Sequence, residues 1–127
     1  FIKNRHFLQP QIFQTKSQYD KTTELLKSKN VPTALFVASD HMAIAAISAI
    51  HSMNLKVPDD ISVIGISDIE ASKYLNPPLT TVGIPQRDIG EIAAHTLIQR
   101  IEGDKTSPKQ IYVPTKLIVR NSVKKIN

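Results

Sequence analysis

The chain has 127 residues, of which 41% are apolar, and this length suits one modest hydrophobic core rather than a disordered chain or several domains. It contains no cysteine, which excludes disulfides, thiolate nucleophiles and Cys-ligated zinc, and no apolar run approaches the roughly 18 residues that span a bilayer. The formal net charge is +5, but the basic residues, Lys105, Lys116 and Arg120 among them, are scattered without interleaved aromatic rings, so we interpret them as solvated charges rather than a nucleic-acid surface.

The first predicted helix lies within residues 12–29, after a short strand-like piece. Four of its residues recur at the spacing of one helical face, and they are Tyr19, Thr22, Leu25 and Leu26. The helix is expected to end before Pro32, because proline pushes the residue that precedes it toward extended geometry.

Two short apolar runs, at 34–38 and 61–66, predict strands of a parallel sheet that is covered on both faces. Each run is followed by the same polar pair, and the two pairs consist of Ser39, Asp40, Ser67 and Asp68. Open α/β sheets bind ligands just past the carboxyl ends of their strands, so both serines are candidate ligand contacts. We expect the aspartates to support this site, Asp40 as the cap of the next helix, with Ser39 as the alternative cap, and Asp68 in a turn.

The second helix, predicted over 41–53, is apolar almost all round. A helix on the surface of a sheet needs only one apolar face, so a second apolar face favours burial against a partner subunit. A central helix in a small core remains the alternative, because alanine is tolerated nearly anywhere on a helix.

The later elements are predicted to be one helical turn at 69–75, a third strand at 79–84 and a well-marked helix. In that helix Asp88 and Glu91 form a capping-box pattern, and Gly103 is the expected stop. Its apolar stripe consists of Ile89, Ile92, Ala93, Thr96, Leu97 and Ile101. Two short β-rich pieces follow, at 110–113 and 116–120, on either side of a proline.

Motifs for metal, nucleotide or acyl-transfer chemistry are missing from the sequence. The four histidines show none of the zinc spacings, and no glycine-rich phosphate loop follows either strand. Neither Ser39 nor Ser67 lies in a G-x-S-x-G elbow, and no histidine is placed to act as a base. We therefore predict no catalytic residue, no metal and no cofactor.

Three blocks at 31–43, 57–65 and 77–82 read Val-Pro-Thr-Ala-Leu-Phe-Val-Ala-Ser-Asp-His-Met-Ala, Val-Pro-Asp-Asp-Ile-Ser-Val-Ile-Gly and Pro-Pro-Leu-Thr-Thr-Val. Together they resemble the lactose-repressor/galactose-repressor (LacI/GalR) family of bacterial transcription regulators. The block Leu-Ile-Val-Arg-Asn-Ser at 117–122 extends this likeness nearly to the end. The resemblance implies an α/β fold, a truncated periplasmic-binding-protein-like (type I) lobe with a mainly parallel, doubly wound sheet.

The resemblance also implies a domain organisation in which residues 1–127 are part of an effector-binding domain. In that family two lobes close on a small molecule and follow a helix-turn-helix that binds DNA. Residues 1–84 and 114–123 would form the C-terminal lobe, and residues 85–113 the helix and strand that cross to the other lobe. The first lobe and the helix-turn-helix are expected to be absent from this chain.

Site residues follow from the same resemblance, which maps ligand contacts onto Ser39, Ser67, Ile84 and an aromatic residue at or near Phe13. Sugar-binding relatives often carry Asn, Asp and Gln at the first three positions, and Ser67 and Ile84 depart from that pattern. A less polar effector, a phosphorylated effector and a different pose of the ligand are the alternatives, and the resemblance does not identify a sugar. The dimer contacts map onto Ile44, Ile47, Ser48, Tyr74 and Leu75.

The function that the resemblance implies is the effector-sensing and dimerisation domain of a cytoplasmic repressor. Such a protein is a homodimer without enzyme activity that binds a small, carbohydrate-type effector. It binds operator DNA through a segment outside this chain, and it has no membrane partner. The alternative is a solute-binding protein of a sugar transport system, which an upstream helix-turn-helix would decide against.

Overall fold

The computed structural model of the chain describes residues 15–125. Helices and strands alternate along these residues, as the sequence predicts for an α/β fold. Their order is α1 (Thr15–Leu26), β1 (Ala34–Phe36), α2 (Asp40–Ser52), β2 (Ser62–Ser67), a 3-10 helix (Glu70–Lys73), β3 (Thr80–Gly83), α3 (Gln86–Ile101) and β4 (Lys116–Ile118).

The four strands form one sheet in the order β1-β2-β3-β4. The first three strands are parallel, with Phe36 beside Ile64 and Ile64 beside Thr80, and β4 runs antiparallel to β3. The predicted, mainly parallel sheet is therefore confirmed. Because β1, β2 and β3 run in the same direction, their carboxyl ends meet at one edge, which the candidate site occupies.

Helix α2 packs against β2 on one face of the sheet, and α1 packs along α2. The apolar side chains between these layers make the core, whose most buried members are Ala43, Ala46, Ile50, Ile61, Val63 and Leu79. From α1, Thr22 and Leu26 reach the buried layer, as their helical spacing predicts. The core thus holds α2 firmly between α1 and the sheet.

Within residues 15–125 the opposite face of the sheet carries exposed apolar side chains, so the cover predicted for that face stays a prediction. Phe36 is 61% exposed, and Leu117 is exposed as well. Helix α3, which remains after α1 and α2, buries none of its residues and therefore does not cover this face. The apolar character of the strands gives no information on which element covers each face.

The position of α2 explains why it is apolar almost all round. One side of the helix contacts the sheet and another contacts α1, so the alternative of a central helix accounts for most of its apolar residues. Ile47, which was expected at a dimer interface, lies in the core and is only 4% exposed. Ser48 is exposed and Ile44 is half-buried.

Helix α3 starts earlier than its capping-box pattern predicts. It begins at Gln86, and its N-cap is Pro85 without a side-chain hydrogen bond, so Asp88 lies inside the first turn and is not the cap. Glu91 accepts a 2.8 Å hydrogen bond from Arg87 Nε instead of closing a capping box. The expected stop is confirmed, since Gly103 follows the last turn with φ +105°.

The apolar stripe of α3 faces outward, with Leu97 61% exposed. A groove runs along this stripe and is bordered on its far side by Ile111 and Val113. The prediction of a strand at 110–113 is wrong for the described structure, because these residues pair with no described strand. The last predicted strand, at 116–120, forms over the shorter range Lys116–Ile118.

Candidate functional site

Three of the four predicted ligand contacts lie at the carboxyl edge of the parallel strands. Ser39 follows β1, Ser67 is the last residue of β2, and Ile84 follows β3. All three residues are half-buried, so each is accessible at the edge. The fourth, Phe13, lies outside the described residues.

Ser39 is the residue that caps α2, and the expectation that Asp40 caps this helix is wrong. Ser39 has extended backbone angles, φ −154° and ψ 158°, and its Oγ accepts a 3.3 Å hydrogen bond from the backbone N–H of Met42. This geometry satisfies one of the free N–H groups of the first turn. The hydroxyl proton of Ser39 can then be donated to a ligand at the strand edge.

Asp40 lies in the first turn of α2 and is fully buried beneath the candidate site. Its Oδ2 accepts hydrogen bonds from Ser72 Oγ at 2.6 Å and from the Ile69 backbone N–H at 3.0 Å, and its Oδ1 accepts one from Thr81 Oγ1 at 2.6 Å. No described Lys or Arg forms an ion pair with this carboxyl. Its stabilisation comes from these donors and from the N-terminus of α2.

This buried carboxyl joins three separate parts of the chain to α2. Ile69 belongs to the turn after β2, Ser72 to the 3-10 helix and Thr81 to β3. The sequence does not link Ser72 and Thr81 to Asp40, because they lie 32 and 41 residues away along the chain. No local pattern connects such distant residues, and only the fold brings them together.

The backbone at the end of β2 has an unusual conformation. Ser67 has φ +127° and Asp68 has φ +54°, and both are non-glycine residues with positive φ. Such conformations are costly and persist when the surrounding structure holds them. Two neighbouring contacts hold this turn: Ile69 binds Asp40, and the Asp68 carboxyl binds Arg120.

Arg120 belongs to this region, although its sequence context predicts only a surface charge. Its Nη2 donates to Asp68 Oδ1 at 2.6 Å and its Nη1 to the Leu79 carbonyl at 2.8 Å. The side chain is only 14% exposed. The interpretation of Arg120 as a solvated surface charge is therefore wrong. The only sequence feature that sets Arg120 apart from the other basic residues is its place in the family block at 117–122.

Ser122 fixes the segment after β4 to the interior of the sheet. Its hydroxyl donates to the Val63 carbonyl at 2.6 Å and accepts from the Thr80 N–H at 2.8 Å. The Val63 N–H in turn donates to the Ser122 carbonyl at 2.8 Å. The tail thus lies against the amino ends of β2 and β3, with Ser122 fully buried.

The expected dimer contacts in the 3-10 region lie at the surface. Tyr74 is 76% exposed, whereas Leu75 is half-buried and packs against the core. Glu70 accepts hydrogen bonds from Lys73 Nζ at 2.9 Å and from the Tyr74 hydroxyl at 3.1 Å. The bond from Lys73, and then that from Tyr74, lowers the pKa of the Glu70 carboxyl below its ordinary value.

Within residues 15–125, no cluster of three or more His, Asp or Glu side chains has the arrangement that a metal ion needs. In the same part of the chain, no helix has the length and apolar content to span a membrane.

Comparison with known proteins shows which family this chain resembles. Residues 4–123 match the periplasmic binding protein-like domain. The HTH-type transcriptional repressor PurR of Aliivibrio salmonicida is 41% identical over 115 residues, which is 90% of this chain and 34% of that protein. The chain spans about a third of the length of the curated relatives that it matches.

Solved structures give the same relationship. A lac repressor dimer bound to operator and the anti-inducer ONPF superimposes with a TM-score of 0.80 at 35% identity, over 87% of this chain and 38% of that one. A complex of the transcriptional regulator CelR with cellobiose gives a TM-score of 0.81 at 34% identity, over 87% of this chain and 34% of that one.

Proposed function

Because the chain belongs to the periplasmic binding protein-like domain family and its relatives are LacI-family transcriptional repressors, we propose that it is the effector-sensing and dimerisation part of a bacterial DNA-binding repressor. The observation that carries the proposal is the joint placement of Ser39, Ser67 and Ile84 at one edge of parallel strands. The effector would be a small carbohydrate or a derivative, and the chain would have no enzyme activity.

The ligand contacts are proposed from the chemistry of this edge. The hydroxyls of Ser39 and Ser67 can donate to and accept from ligand hydroxyls, while Ile84 offers an apolar surface. Asp40 supports the edge from below, and Asp68 fixes the turn beside it. An aromatic contact at or near Phe13 is proposed from the family resemblance.

A second lobe is proposed from the exposure of α3. Residues 1–84 and 114–123 would form one lobe, and residues 85–113 would pack on the other, outside this chain. The support is that α3 carries an apolar stripe but has no buried residue. A ligand held between two lobes stabilises one relative orientation of them, and this preference is the means by which sensing would alter DNA affinity.

A homodimer is proposed through Ile44, Ser48, Tyr74 and Leu75. The exposure of Ser48 and Tyr74 supports this surface, and Ile47 is removed from it because it belongs to the core. Operator DNA would bind to a segment outside residues 1–127, and the repressor would act in the cytoplasm, where its operator is.

The test uses the full-length protein, meaning the native gene product that contains this chain. Its operator is first selected from random DNA duplexes, and gel-shift titration then follows DNA affinity while neutral mono- and disaccharides, cellobiose included, are added. We expect specific DNA binding that one of these sugars changes. Sugar binding without any DNA binding would instead favour a solute-binding protein, and the absence of both would refute the proposal.

Dimerisation is tested separately by sedimentation equilibrium of the same protein. We expect a dimer that Tyr74→Asp weakens, because a carboxylate at an apolar contact is desolvated without a partner. Lys56→Asp, a change at an exposed residue that is not among the proposed contacts, is the matched control and leaves the dimer intact. A monomer at high concentration would refute this part of the proposal.

A further inference from the structure

The turn at Ser67 and Asp68 requires an external restraint. Both residues have positive φ, which L-residues with a side chain rarely adopt. One restraint lies after the turn, where the Ile69 N–H donates to Asp40 at 3.0 Å. This bond fixes the backbone of Ile69 but leaves the Asp68 side chain to another partner.

Arg120 is the partner of that side chain, and it is itself immobilised. Its backbone N–H donates to Thr80 Oγ1 at 2.9 Å, and its guanidinium donates to the Leu79 carbonyl at 2.8 Å. With the residue fixed by these two hydrogen bonds, Arg120 Nη2 donates to Asp68 Oδ1 at 2.6 Å. The planar fork of an arginine can hold both acceptors at once, which a lysine cannot do in the same geometry.

The C-terminal segment does not depend on Arg120 alone for its attachment. Ser122, two residues later, is joined to Val63 and Thr80 by three hydrogen bonds. The Arg120 side chain contacts neither of those residues through its guanidinium and is directed at Leu79 and Asp68. The two residues of one segment therefore have separable tasks.

We propose that Arg120 is a positioning residue of the candidate effector site, which fixes Asp68 and thereby holds Ser67 in the backbone conformation that places it at the strand edge. This inference rests on the proposed function, because it gives Arg120 a role in that same site. Arg120 touches no ligand in this role and acts through the turn. Loss of the Arg120 side chain would make the turn at Ser67 and Asp68 more mobile, while the hydrogen bonds of Ser122 to Val63 and Thr80 remain.

Amide hydrogen exchange of the full-length protein tests the restraint without any ligand. In Arg120→Met, which keeps the length of the side chain but removes its donors, we expect exchange at Ile69 to rise at least tenfold. Exchange at Thr80 should change less than threefold. Ser122→Ala is the matched control from the same segment, and it should show the reverse pattern, since Thr80 loses its acceptor. Unchanged exchange at Ile69 in Arg120→Met would overturn the proposal.

Sugar titration supplies the second measurement, with the neutral sugar panel used for the wild type. We expect the dissociation constant of a bound sugar to rise at least tenfold in Arg120→Met, less in Arg120→Lys, and less than twofold in Ser122→Ala. Equal losses in Arg120→Met and Ser122→Ala would overturn the positioning role, because they would reflect general destabilisation.

Two further variants separate misfolding of Arg120→Met from loss of the positioning role, and the wild type separates failure of the proposed function from both. If Arg120→Met does not fold, Arg120→Lys and Asp68→Asn replace it, since each keeps part of the contact, and the same exchange pattern is required of them. A wild type that binds neither DNA nor sugar would refute the proposed function, whereas the exchange comparison would still decide whether Arg120 holds the turn.

Discussion

A Cβ atom on Gly65 would lie 2.3 Å from Asp40 Oδ1, so β2 and the buried carboxyl of α2 fit together only because residue 65 has no side chain. The same Cβ would stand 3.1 Å from Leu79 Cδ2. The role of this glycine is therefore steric. It lets the Asp40 carboxyl of α2 pass close to β2 and reach its three donors, which lie in the turn after β2, in the 3-10 helix and on β3.

Gly65→Ala is expected to lower the free energy of unfolding by about 1–3 kcal/mol, the usual cost of overpacking. Gly90→Ala is the matched control, because a Cβ at that position in α3 meets nothing within 4 Å. There the change should raise stability by up to about 1 kcal/mol, since alanine favours the helix. Urea unfolding of the full-length protein measures both, and equal effects would contradict the packing described.

Asp40→Asn is expected to cost about 1–3 kcal/mol, because an amide NH2 would face a donor in place of an accepting oxygen and leave that donor unsatisfied. Asp20→Asn, at an exposed position of α1, should stay within about 0.5 kcal/mol of the wild type. Denaturant unfolding again provides the comparison. A tolerated Asp40→Asn would show that the three hydrogen bonds contribute little.

Ser39→Ala removes the cap of α2 and should lower stability by about 1 kcal/mol. Ser39→Asn should restore most of this loss, since asparagine is an equally good N-cap. Ser28→Ala, an exposed serine after α1, is the control for a serine outside a cap. Thermal unfolding of the three variants separates capping from any ligand contact, and a stable Ser39→Ala would count against the cap.

The Glu70 carboxyl is expected to titrate below the ordinary glutamate range in an NMR pH titration. Because its pKa is lowered in the folded state, its stabilising contacts are present above the ordinary glutamate pKa and are lost as the pH falls through the lowered value. Lys73→Met should move the pKa back further than Tyr74→Phe, since the bond from Lys73 is the larger cause. The opposite order would contradict this arrangement.

Leu97→Ser tests whether the apolar stripe of α3 is covered in the full-length protein. If the proposed second lobe packs there, the variant should lose about 2 kcal/mol, the free energy of burying a leucine side chain. Gln99→Ser, at an exposed polar position of the same helix, should lose no more than about 0.5 kcal/mol. Similar small losses in both variants would indicate that Leu97 stays exposed to water and that residues 85–113 are not packed as proposed.

Local sequence patterns were sufficient for the elements and for the edge of the sheet. The apolar runs predicted β1, β2 and β3, and the polar pairs behind two of them marked the edge where Ser39 and Ser67 lie. Those signals are short-range, since a strand and the residue that follows it are neighbours in the chain.

What the sequence could not predict depends on tertiary structure. Whether Ser39 or Asp40 caps α2 was decided by the distant donors that bind the Asp40 carboxyl. The capping-box pattern at Asp88 failed because α3 had already begun at Gln86. Arg120 resembles any surface arginine until the fold places Asp68, 52 residues away, beside it.

The closure of the sheet by Ser122 has a consequence for synthesis on the ribosome. The Val63 carbonyl that accepts from Ser122 is made 59 residues before it, and the Thr80 amide 42 residues before. Strands β2 and β3 therefore emerge while these two groups still lack their final partner. A nascent chain that stops short of Ser122 carries an incomplete sheet, so the described sheet can form in full only after β4 and the residues up to Ser122 have been translated.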